Sequence, residues 1–444
     1  MRHKNKQGIA YSIVPFGSSR QMFLVGEPEG RFCCADAHFR GKTVPDYSAQ
    51  VRNLLENVKA VCEKERFTDN IAGMCHFFIA DIGMKELVRQ LANEILPHFF
   101  GAATFVPQKP ASGVGVALEL WVVGGTAQVS TCSCEFDDYD EMEYCDCEIR
   151  PFDVSVVTEF DGMRWFFAGD ASPDYASIGS YERSRDAFEL LADWLECEDF
   201  RLAQVFRTWI YQGHLVMEER HVPNDGCETD DGVVSQRYKE LNRARTDFFG
   251  DTKFLKKYLP KKHKGTVYPA STGIGADDFD VVISAVALDT KRKDVIVCPL
   301  ENPNQTSAFD YGAVYSPQSP KFSRAMAVAV ANECMIFVSG TASIIDSESQ
   351  HIEDPVKQTE LTLDNIAALI DGQNLARHGI SGFSCGLGNL ECVRVYVKRP
   401  AELELIRQVC ERRLSKVPTL YTIADVCRPE LLVEIEGIAM TRKS

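Results

Sequence analysis

Two glutamates near the end of the chain have the spacing needed for acid–base chemistry. Residues 431–440 alternate as a β-strand does, which places Glu434 and Glu436 on the same face. A carboxylic acid that burial or a second carboxylate keeps protonated is suited to general acid catalysis. We therefore predict that one of the two donates a proton. The alternative is that one of them only accepts a hydrogen bond from the neighbouring backbone.

Arginines are the candidates for holding an anionic group. The net charge of the chain is −16, so an anionic ligand needs a local basic pocket. The guanidinium group is planar and permanently charged, which suits carboxylates better than the lysine ammonium group does. Each arginine has a plainer alternative as part of a surface or interdomain ion pair. The candidates are Arg207, Arg245, Arg324, Arg394 and Arg428.

Two tyrosines and a basic run are the other candidate binding groups. Tyr211 and Tyr268 can donate a hydrogen bond to a carboxylate or an ether oxygen, although buried tyrosines are more often core residues with a satisfied hydroxyl. Residues 253–264 hold several lysines, a pattern typical of a solvated loop. Because this run precedes Tyr268, its alternative role is to steer an anionic substrate.

Four cysteines form the candidate metal site. Cys132 with Cys134 and Cys145 with Cys147 bracket an acidic segment. Paired ligands of structural zinc sites are usually separated by two to four residues, a wider spacing than the single residue found here. We therefore favour reduced thiols in an acidic linker, with zinc as the weaker alternative. We predict no cofactor.

The bulk composition indicates an ordinary globular protein. A length of 444 residues corresponds to about three domains of ~150 residues each. No segment reaches the ~18 consecutive apolar residues of a membrane span, and the polar start leads into no apolar signal segment. We therefore expect a cytoplasmic protein whose cysteines are mostly reduced. The acidic balance disfavours nucleic acid and anionic membranes as partners.

A helix pattern recurs along the chain. Residues 49–58 return as residues 357–366 with matching Gln, Leu and Asn positions, and a looser copy lies at residues 185–195. Each copy precedes a strand-like run, a second helix-like stretch and a last apolar strand. Such repeats indicate repeated structural units, so we predict three domains of one kind. Their ranges are 9–129, 153–288 and 309–440, with an acidic, cysteine-containing linker at 130–152.

The three copies differ in their acids. On the last strand of the first copy, Glu119 matches Glu436, but Ala117 stands at the position of Glu434. The second copy has no acid at either position. Paired acids therefore occur only in the third copy. The presence of Glu119 hints at a structural use for Glu436.

The first and third copies resemble the reactive-intermediate deaminase (YjgF-type) superfamily. In the third copy the resemblance lies in residues 358–366, 393–397 and 433–439. It implies three tandem YjgF-like (chorismate-mutase-like) domains of the α+β class, each a mixed sheet with two helices on one face. Domains of that superfamily usually assemble as trimers. The resemblance therefore implies a pseudo-threefold arrangement within a monomer that mimics the trimer internally.

Residues 152–439 resemble the chorismatases more specifically, the enzymes that split chorismate into pyruvate and a cyclic carboxylic acid. The departures are Asp346 and Ser347, where a Gly-His pair is expected, and Glu353, where Gly is expected. These departures affect the loop after Ile344. The family-like segments are 207–211 (RTWIY), 237–238 (RY) with Asn242 and Arg245, 268–275 (YPASTGIG), 322–325 (FSRA), 339–344 (SGTASI), the positions Ser349, His351 and Asp354, and 424–428 (ADVCR), followed by the two glutamates of the last strand.

The resemblance implies a chorismatase-like hydrolase or lyase that cleaves the enolpyruvyl ether of an anionic, chorismate-like substrate. It adds Ala342, within SGTASI, to the binding candidates, and it places the site in the third domain at its contact with the second. Two other functions stay open. One is a non-catalytic small-molecule-binding or scaffolding protein on the same fold. The other is an enamine or imine deaminase, which is disfavoured because Leu420 stands where those enzymes hold an arginine.

Overall fold

The structure is a computed structural model that describes residues 2–4, 8–30, 33–39, 42–67, 71–124, 128–130, 152–173, 179–220, 234–278, 280–312 and 317–443. In these residues the chain forms three six-stranded sheets, three small hairpins and seven α-helices. This confirms the predicted α+β class. We refer to each large sheet with its helices as a unit. Within the described segments, no helix is both long and apolar enough to cross a membrane.

Unit one holds the first sheet and two helices. Helix α1 (Tyr47–Lys64) packs against α2 (Lys85–Ile95). The sheet has the order β1-β2-β3-β8-β6-β7, and β4 pairs with β5 as a separate hairpin. Its strands are β1 (Arg2–Lys4), β2 (Ile9–Phe16), β3 (Ser19–Gly26), β4 (Cys33–Phe39), β5 (Lys42–Pro45), β6 (Ile71–Ile79), β7 (Phe99–Val106) and β8 (Val116–Gly124).

Unit two repeats this plan. Helix α3 (Ser180–Cys197) packs against α4 (Arg237–Phe249). The sheet has the order β9-β10-β11-β16-β12-β15, and β13 pairs with β14. Its strands are β9 (Gln128–Ser130), β10 (Ser155–Phe160), β11 (Met163–Ala171), β12 (Val205–Gly213), β13 (Glu218–Arg220), β14 (Val234–Gln236), β15 (Ala270–Ala276) and β16 (Val281–Thr290).

Unit three repeats it again with one extra short helix. Helix α5 (Pro355–Ile370) packs against α6 (Gly372–Arg377) and α7 (Leu403–Leu414). The sheet has the order β17-β18-β19-β24-β22-β23, and β20 pairs with β21. Its strands are β17 (Val295–Leu300), β18 (Ala325–Val330), β19 (Glu333–Thr341), β20 (Ile344–Ile345), β21 (Glu348–Ser349), β22 (Leu390–Val397), β23 (Thr419–Ile423) and β24 (Val433–Arg442).

The three large sheets share one topology. When the six strands of a sheet are counted in chain order, the sixth lies between the third and the fourth, and the fourth and fifth run parallel to each other. The other neighbouring pairs are antiparallel. Strands β9 and β17 lie outside the ranges 153–288 and 309–440 predicted for the second and third domains. A three-residue strand such as β9 is too short to carry a readable period.

The helices form where the apolar spacing predicts them. In α1 the residues at helical spacing, Val51, Leu54, Leu55, Val58 and Val61, are all buried. Helix α5 begins at Pro355, and the Asp354 side chain caps it by accepting a hydrogen bond from the backbone N–H of Lys357 at 3.0 Å. An Asp at the N-cap followed by Pro in the first turn is a sequence signature of a helix start.

The sheets of the three units meet in an aromatic core. Trp121 of β8 contacts Phe167 of β11, with ring centroids 5.0 Å apart, and Phe337 of β19 at 5.5 Å. Phe337 also contacts Phe206 of β12 at 5.0 Å. Large buried aromatic rings contribute both apolar area and preferred ring geometry. This core holds the three sheets in the positions that build the site described next.

Candidate active site

The two predicted acids lie side by side on β24 but face different surroundings. Glu434 pairs across the sheet with Tyr396, and Glu436 pairs with Arg394. Both side chains are almost completely buried. Burial alone raises the pKa of a carboxyl group, so the charge of each depends on the partners it finds.

Glu436 is surrounded by hydrogen-bond donors and positive charge. One carboxylate oxygen accepts from Arg207 and from the Thr272 hydroxyl, and the other accepts from the Tyr396 hydroxyl at 2.7 Å and lies 2.8 Å from Arg394 Nη1. Burial acts to raise the pKa of Glu436, but Arg394, Arg207 and the hydroxyl donors outweigh it, and the pKa is lowered. Glu436 is therefore ionised.

The Glu436 contacts extend into a network that joins all three units. Arg394 of unit three binds Glu119 of unit one through two contacts, Nη2 to Oε1 at 2.6 Å and Nε to Oε2 at 3.2 Å. Arg394 also donates to the hydroxyl of Tyr211, which belongs to unit two. We call Glu119, Arg207, Tyr211, Arg394 and Glu436 the central network. Two-pronged arginine–carboxylate contacts fix geometry as well as charge, so this network sets how β24 is held.

Glu434 has the opposite environment. Among the residues that the structure describes, no protein group donates a hydrogen bond to its carboxyl group. Burial, and next the negative charge of Glu436, raise its pKa to about 8, while Arg324 and Arg207 oppose the shift only in part. At neutral pH the Glu434 carboxyl group is therefore mostly protonated and available as an acid.

Glu434 opens into a pocket between units two and three. The strand β19 runs close beside it, and Gly340 is the residue that leaves room for the carboxyl group. The pocket is lined from unit two by residues of β14, α4 and β15. From unit three it is lined by residues that precede β18, by the end of β19 and the residues after it, and by β24 and the residues before it. The lining residues are Gln236, Tyr238, Ser271, Gly273, Tyr311, Pro320, Phe322, Arg324, Gly340, Ala342, Ile344, Cys427, Arg428, Leu431 and Glu434.

Two arginines supply the positive charge of this pocket. Arg324 donates to the backbone carbonyl of Thr306 at 3.0 Å and to the hydroxyl of Tyr311. Arg428 donates to the carbonyl of Ser347 at 2.9 Å. Both guanidinium groups lie 5.4 Å from the centre of the Tyr311 ring. Both guanidinium groups line the pocket, where their positive charge can attract an anionic ligand.

Arg245 stands behind the pocket wall. It is buried, and Nη2 donates to the side-chain oxygen of Asn242 at 2.6 Å. Burial lowers its pKa, and the neighbouring Tyr238 hydroxyl opposes the shift. Tyr238 itself lines the pocket. Arg245 therefore acts on the pocket through the position of Tyr238.

The structure separates the sequence-predicted residues into groups. Tyr268 lines neither the pocket nor the central network: its ring packs 5.5 Å from Phe309, and it lies close enough to Arg245 for the two groups to interact electrostatically. The four cysteines proposed for a metal, at positions 132, 134, 145 and 147, lie outside the described residues. The pocket holds Glu434, Arg324, Ala342 and Arg428, with Arg245 behind it, and the central network holds Glu436, Arg207, Tyr211 and Arg394.

Several pocket residues were not predicted from the sequence. Tyr238, Phe322 and Gly340 lie in segments that carry the family resemblance, so those segments were the available signal. Tyr311 had no such signal, because an aromatic residue in a loop looks the same whether it lines a pocket or packs in a core. Glu119 was noticed only as a repeat position, and its pairing with Arg394 required the tertiary structure.

The loop after β20 keeps an unusual backbone. Asp346 and Glu353, which replace residues expected to be Gly, have φ values of +51° and +61°. This left-handed region is favourable for Gly and costly for most other residues. The loop therefore has the conformation that glycine would suit, although the glycines are absent.

The chain was compared with known proteins. No family model matches it. A 3-hydroxybenzoate synthase of Streptomyces hygroscopicus is 33% identical over 293 residues, which are 64% of this chain and 76% of that protein. A chorismatase of Streptomyces rapamycinicus is 36% identical over 174 residues, 38% of this chain and about half (50%) of that protein.

A solved structure adds the fold. The crystal structure of a chorismatase matches with a TM-score of 0.56 and 20% identity over 84% of this chain and 93% of that chain. At this identity the match establishes a shared fold. The sequence match over three quarters of the 3-hydroxybenzoate synthase and the shared fold together show that the chain belongs to the chorismatase family.

Proposed function

We propose that the protein cleaves the enolpyruvyl ether of chorismate, releasing pyruvate and a cyclic carboxylic acid. The observation that carries the proposal is Glu434, a buried carboxyl group with a pKa of about 8 that opens into a pocket holding two arginines. The names of the relatives, chorismatase and 3-hydroxybenzoate synthase, support the same substrate. They also make 3-hydroxybenzoate the first product to test for.

Glu434 acts as the general acid in this proposal. Its proton is transferred to the methylene carbon of the enolpyruvyl group, and the electron pair of the double bond forms the new C–H bond. The oxocarbenium ion that results is an electrophile at the ether carbon. In the hydrolytic course, water adds to that carbon, and the proton that it loses restores Glu434. The hemiketal then collapses to pyruvate and the ring alcohol, a dihydroxycyclohexadiene carboxylic acid. Loss of one water from this ring gives 3-hydroxybenzoate. Burial without a hydrogen-bond partner keeps the acid protonated until the substrate is bound.

Glu436 has a supporting role. Its ionised carboxylate is the second contribution that raises the pKa of Glu434. Because it is bound by Arg207, Arg394 and Tyr396, it has no proton to donate. The central network thus holds β24 in place and keeps Glu434 neutral. We assign the acid to Glu434 rather than to Glu436.

The arginines bind the two carboxylates of the substrate in this scheme. Arg324 and Arg428 reach the pocket from different segments of unit three, where Arg324 donates to the Thr306 carbonyl and Arg428 donates to the Ser347 carbonyl. Tyr238, held by Arg245, provides a hydroxyl on the opposite side, in unit two. A dianionic substrate placed between them has its ether near Glu434.

The test is to mix purified protein with chorismate and to assay pyruvate, with the second product identified by chromatography. Release of pyruvate well above the uncatalysed background is the expected result. If no pyruvate forms, a small-molecule-binding protein on the same fold becomes the better description. Such a protein has no need of a buried, protonated Glu434 beside two arginines, which is why we favour the enzyme.

The finer architecture belongs to the same proposal. We propose that the three units are domains set around a pseudo-threefold axis and that the chain is a monomer. Matching positions support it: Glu119, Ser284 and Glu436 stand at the same register of β8, β16 and β24. Thr104 of unit one contacts Ser284 of unit two at 2.7 Å, as Thr272 of unit two contacts Glu436 of unit three. Size-exclusion chromatography with light scattering is expected to give one chain, and a stable trimer would contradict this.

A further inference from the structure

A second pocket lies on the other side of the segment that holds Arg324. It is a cavity of about 630 Å³, open to solvent, between the loop of residues 260–266 in unit two and residues 299–310 and 376–379 in unit three. It includes the end of the basic run of residues 253–264, which the proposed chemistry does not use. We call it the basic pocket.

The basic pocket has positive charges that the protein leaves unpaired. Lys262, Lys264 and Arg377 line it, are exposed, and have no ion-pair partner among the described residues. His263 also lines it, and its Nε2 is buried without a hydrogen-bond partner in the described structure. Although the net charge of the chain is −16, such a cluster of positive charges attracts an anion to this pocket.

The floor of the same pocket holds a buried carboxyl group, Glu301, whose neighbouring donors are the Ser307 and Ser323 hydroxyls and the backbone N–H of Arg324. Within the described part of the chain, neither oxygen of the Glu301 carboxyl group accepts a hydrogen bond of good geometry. Burial raises the pKa of Glu301 to about 7, against the opposing effects of Arg324 and nearby hydroxyl groups. Asp310 is the other carboxyl group of the lining, and Phe309 supplies an aromatic surface. A ligand that suits this lining has an anionic end, a hydroxyl donor and a flat apolar body.

We infer that the basic pocket binds a small aromatic or cyclic hydroxycarboxylate and that this binding controls Arg324 in the active pocket. Ligand pockets are typically apolar cavities with a few placed polar groups, and 300–1,000 Å³ is their usual size, so the volume of about 630 Å³ is suitable. A compound of this class is also what the proposed reaction releases. The control of activity therefore rests on the proposed function, but the binding site does not.

One short segment connects the two pockets. Ser307, Phe309 and Asp310 line the basic pocket. The residues on either side of them hold Arg324, because the Thr306 carbonyl and the Tyr311 hydroxyl both accept from its Nη2. A ligand that shifts this segment changes the position of Arg324. Coupling between two sites is carried by shared elements of this kind. It typically changes the affinity of one site by about 5- to 150-fold.

Calorimetric titration of the full-length protein with 3-hydroxybenzoate, without chorismate, tests the site. The double variant Lys264→Glu/Arg377→Glu is compared with wild type and with Lys261→Glu, a matched control that is exposed and in the same loop but outside the lining. We expect the double variant to bind the probe at the basic pocket at least tenfold more weakly and Lys261→Glu to bind as wild type does. Unchanged stoichiometry and affinity in the double variant would overturn the inference. This readout needs no activity, so it is independent of whether chorismate is the substrate.

Steady-state kinetics test the control of Arg324. With 3-hydroxybenzoate present, wild type and Lys261→Glu should show inhibition that excess chorismate does not fully relieve. In the double variant only the competitive part should remain, and kcat without the probe should be unchanged. If inhibition is purely competitive in wild type, the basic pocket does not control the active pocket.

Discussion

A Cβ atom placed on Gly340 would lie 1.9 Å from Oε1 of Glu434 and 2.9 Å from its carboxyl carbon. Contacts this short are not tolerated, so the position of Glu434 depends on the absence of a side chain at Gly340. Gly340 lies where the pairing of β19 with β24 is irregular, between Val338 and Thr341. The strand beside the acid therefore provides its space through a glycine, a use that is typical where a backbone approaches a functional group closely.

Replacing Gly340 by Ala should displace the acid. The methyl group and the carboxyl group cannot occupy the same space, so Glu434 must rotate away, and kcat should fall by about a hundredfold, as for loss of a general acid. Gly273→Ala is the matched control in the same pocket, because a Cβ there meets only Tyr238 at 3.4 Å, an ordinary contact. Steady-state pyruvate release should be near wild type for Gly273→Ala. Equal activity of both variants would contradict the proposed position of the acid.

Glu434→Gln should abolish most catalysis without loss of binding. Glutamine keeps the shape of the side chain but has no proton to transfer to carbon. General acid catalysis contributes typically 10²–10⁴ in rate, or about 3–5.5 kcal/mol. We expect kcat to fall about a hundredfold or more while KM changes only a few-fold, the sign of an interaction made mainly in the transition state. Near wild-type turnover would exclude Glu434 as the acid.

The pH dependence follows from the raised pKa of Glu434. Because only the protonated acid is competent, kcat/KM should be constant well below pH 8 and fall above it, with an apparent pKa of about 8 for the free enzyme. Between the unfolded pKa of 4.5 and the folded pKa of about 8, the folded state binds more protons than the unfolded state. This group's contribution to stability is thus full below pH 4.5 and is lost as pH rises through 8. Between pH 5 and pH 9, the Tm of Glu434→Gln should therefore rise relative to the Tm of wild type as the pH increases.

Glu436→Gln should have a different effect from Glu434→Gln. It removes the negative charge that Arg207 and Arg394 share, and breaking a buried ion pair costs about 3–5 kcal/mol when a charge is left uncompensated. Denaturation should show a clear loss of stability. Arg394 keeps Glu119 as a partner, which limits the loss. Because Glu436 raises the pKa of Glu434, the variant should also move the alkaline limb of kcat/KM to lower pH. A fall in kcat at all pH values with normal stability would mean that Glu436 is the acid.

Arg324→Ala should mainly weaken substrate binding. Arg324 lines the pocket, and its other partners are a backbone carbonyl and the hydroxyl of Tyr311. Hydrogen bonds to charged groups are typically worth ~1.5–3 kcal/mol, so KM should rise by about ten- to a hundredfold. Arg324→Lys should restore only part of the lost substrate binding, because lysine lacks the planar guanidinium group that can form two parallel hydrogen bonds. If KM is unchanged and only kcat falls, Arg324 contacts the reacting group and not a carboxylate.

The local sequence pattern was sufficient to predict most of the helices and strands. The apolar spacing of α1, the Asp354 cap of α5 and the family-like segments could all be read from the chain, because helix and strand periods depend on near neighbours. The same-face placement of Glu434 and Glu436 also follows from the strand period alone. The edges of the sheets could not be predicted as well, since short strands such as β9 are defined by their partners.

The sequence by itself determined that two glutamates share one strand face in a chain of the chorismatase type. It did not determine which of them carries a proton, because both residues are the same type and lie in the same local pattern. That difference comes from groups 164 and 229 residues away along the chain, Thr272 and Arg207, which reach Glu436 and not Glu434. The tertiary structure alone decides this, since the pKa of a buried carboxyl group is set by the charges and donors that packing brings to it.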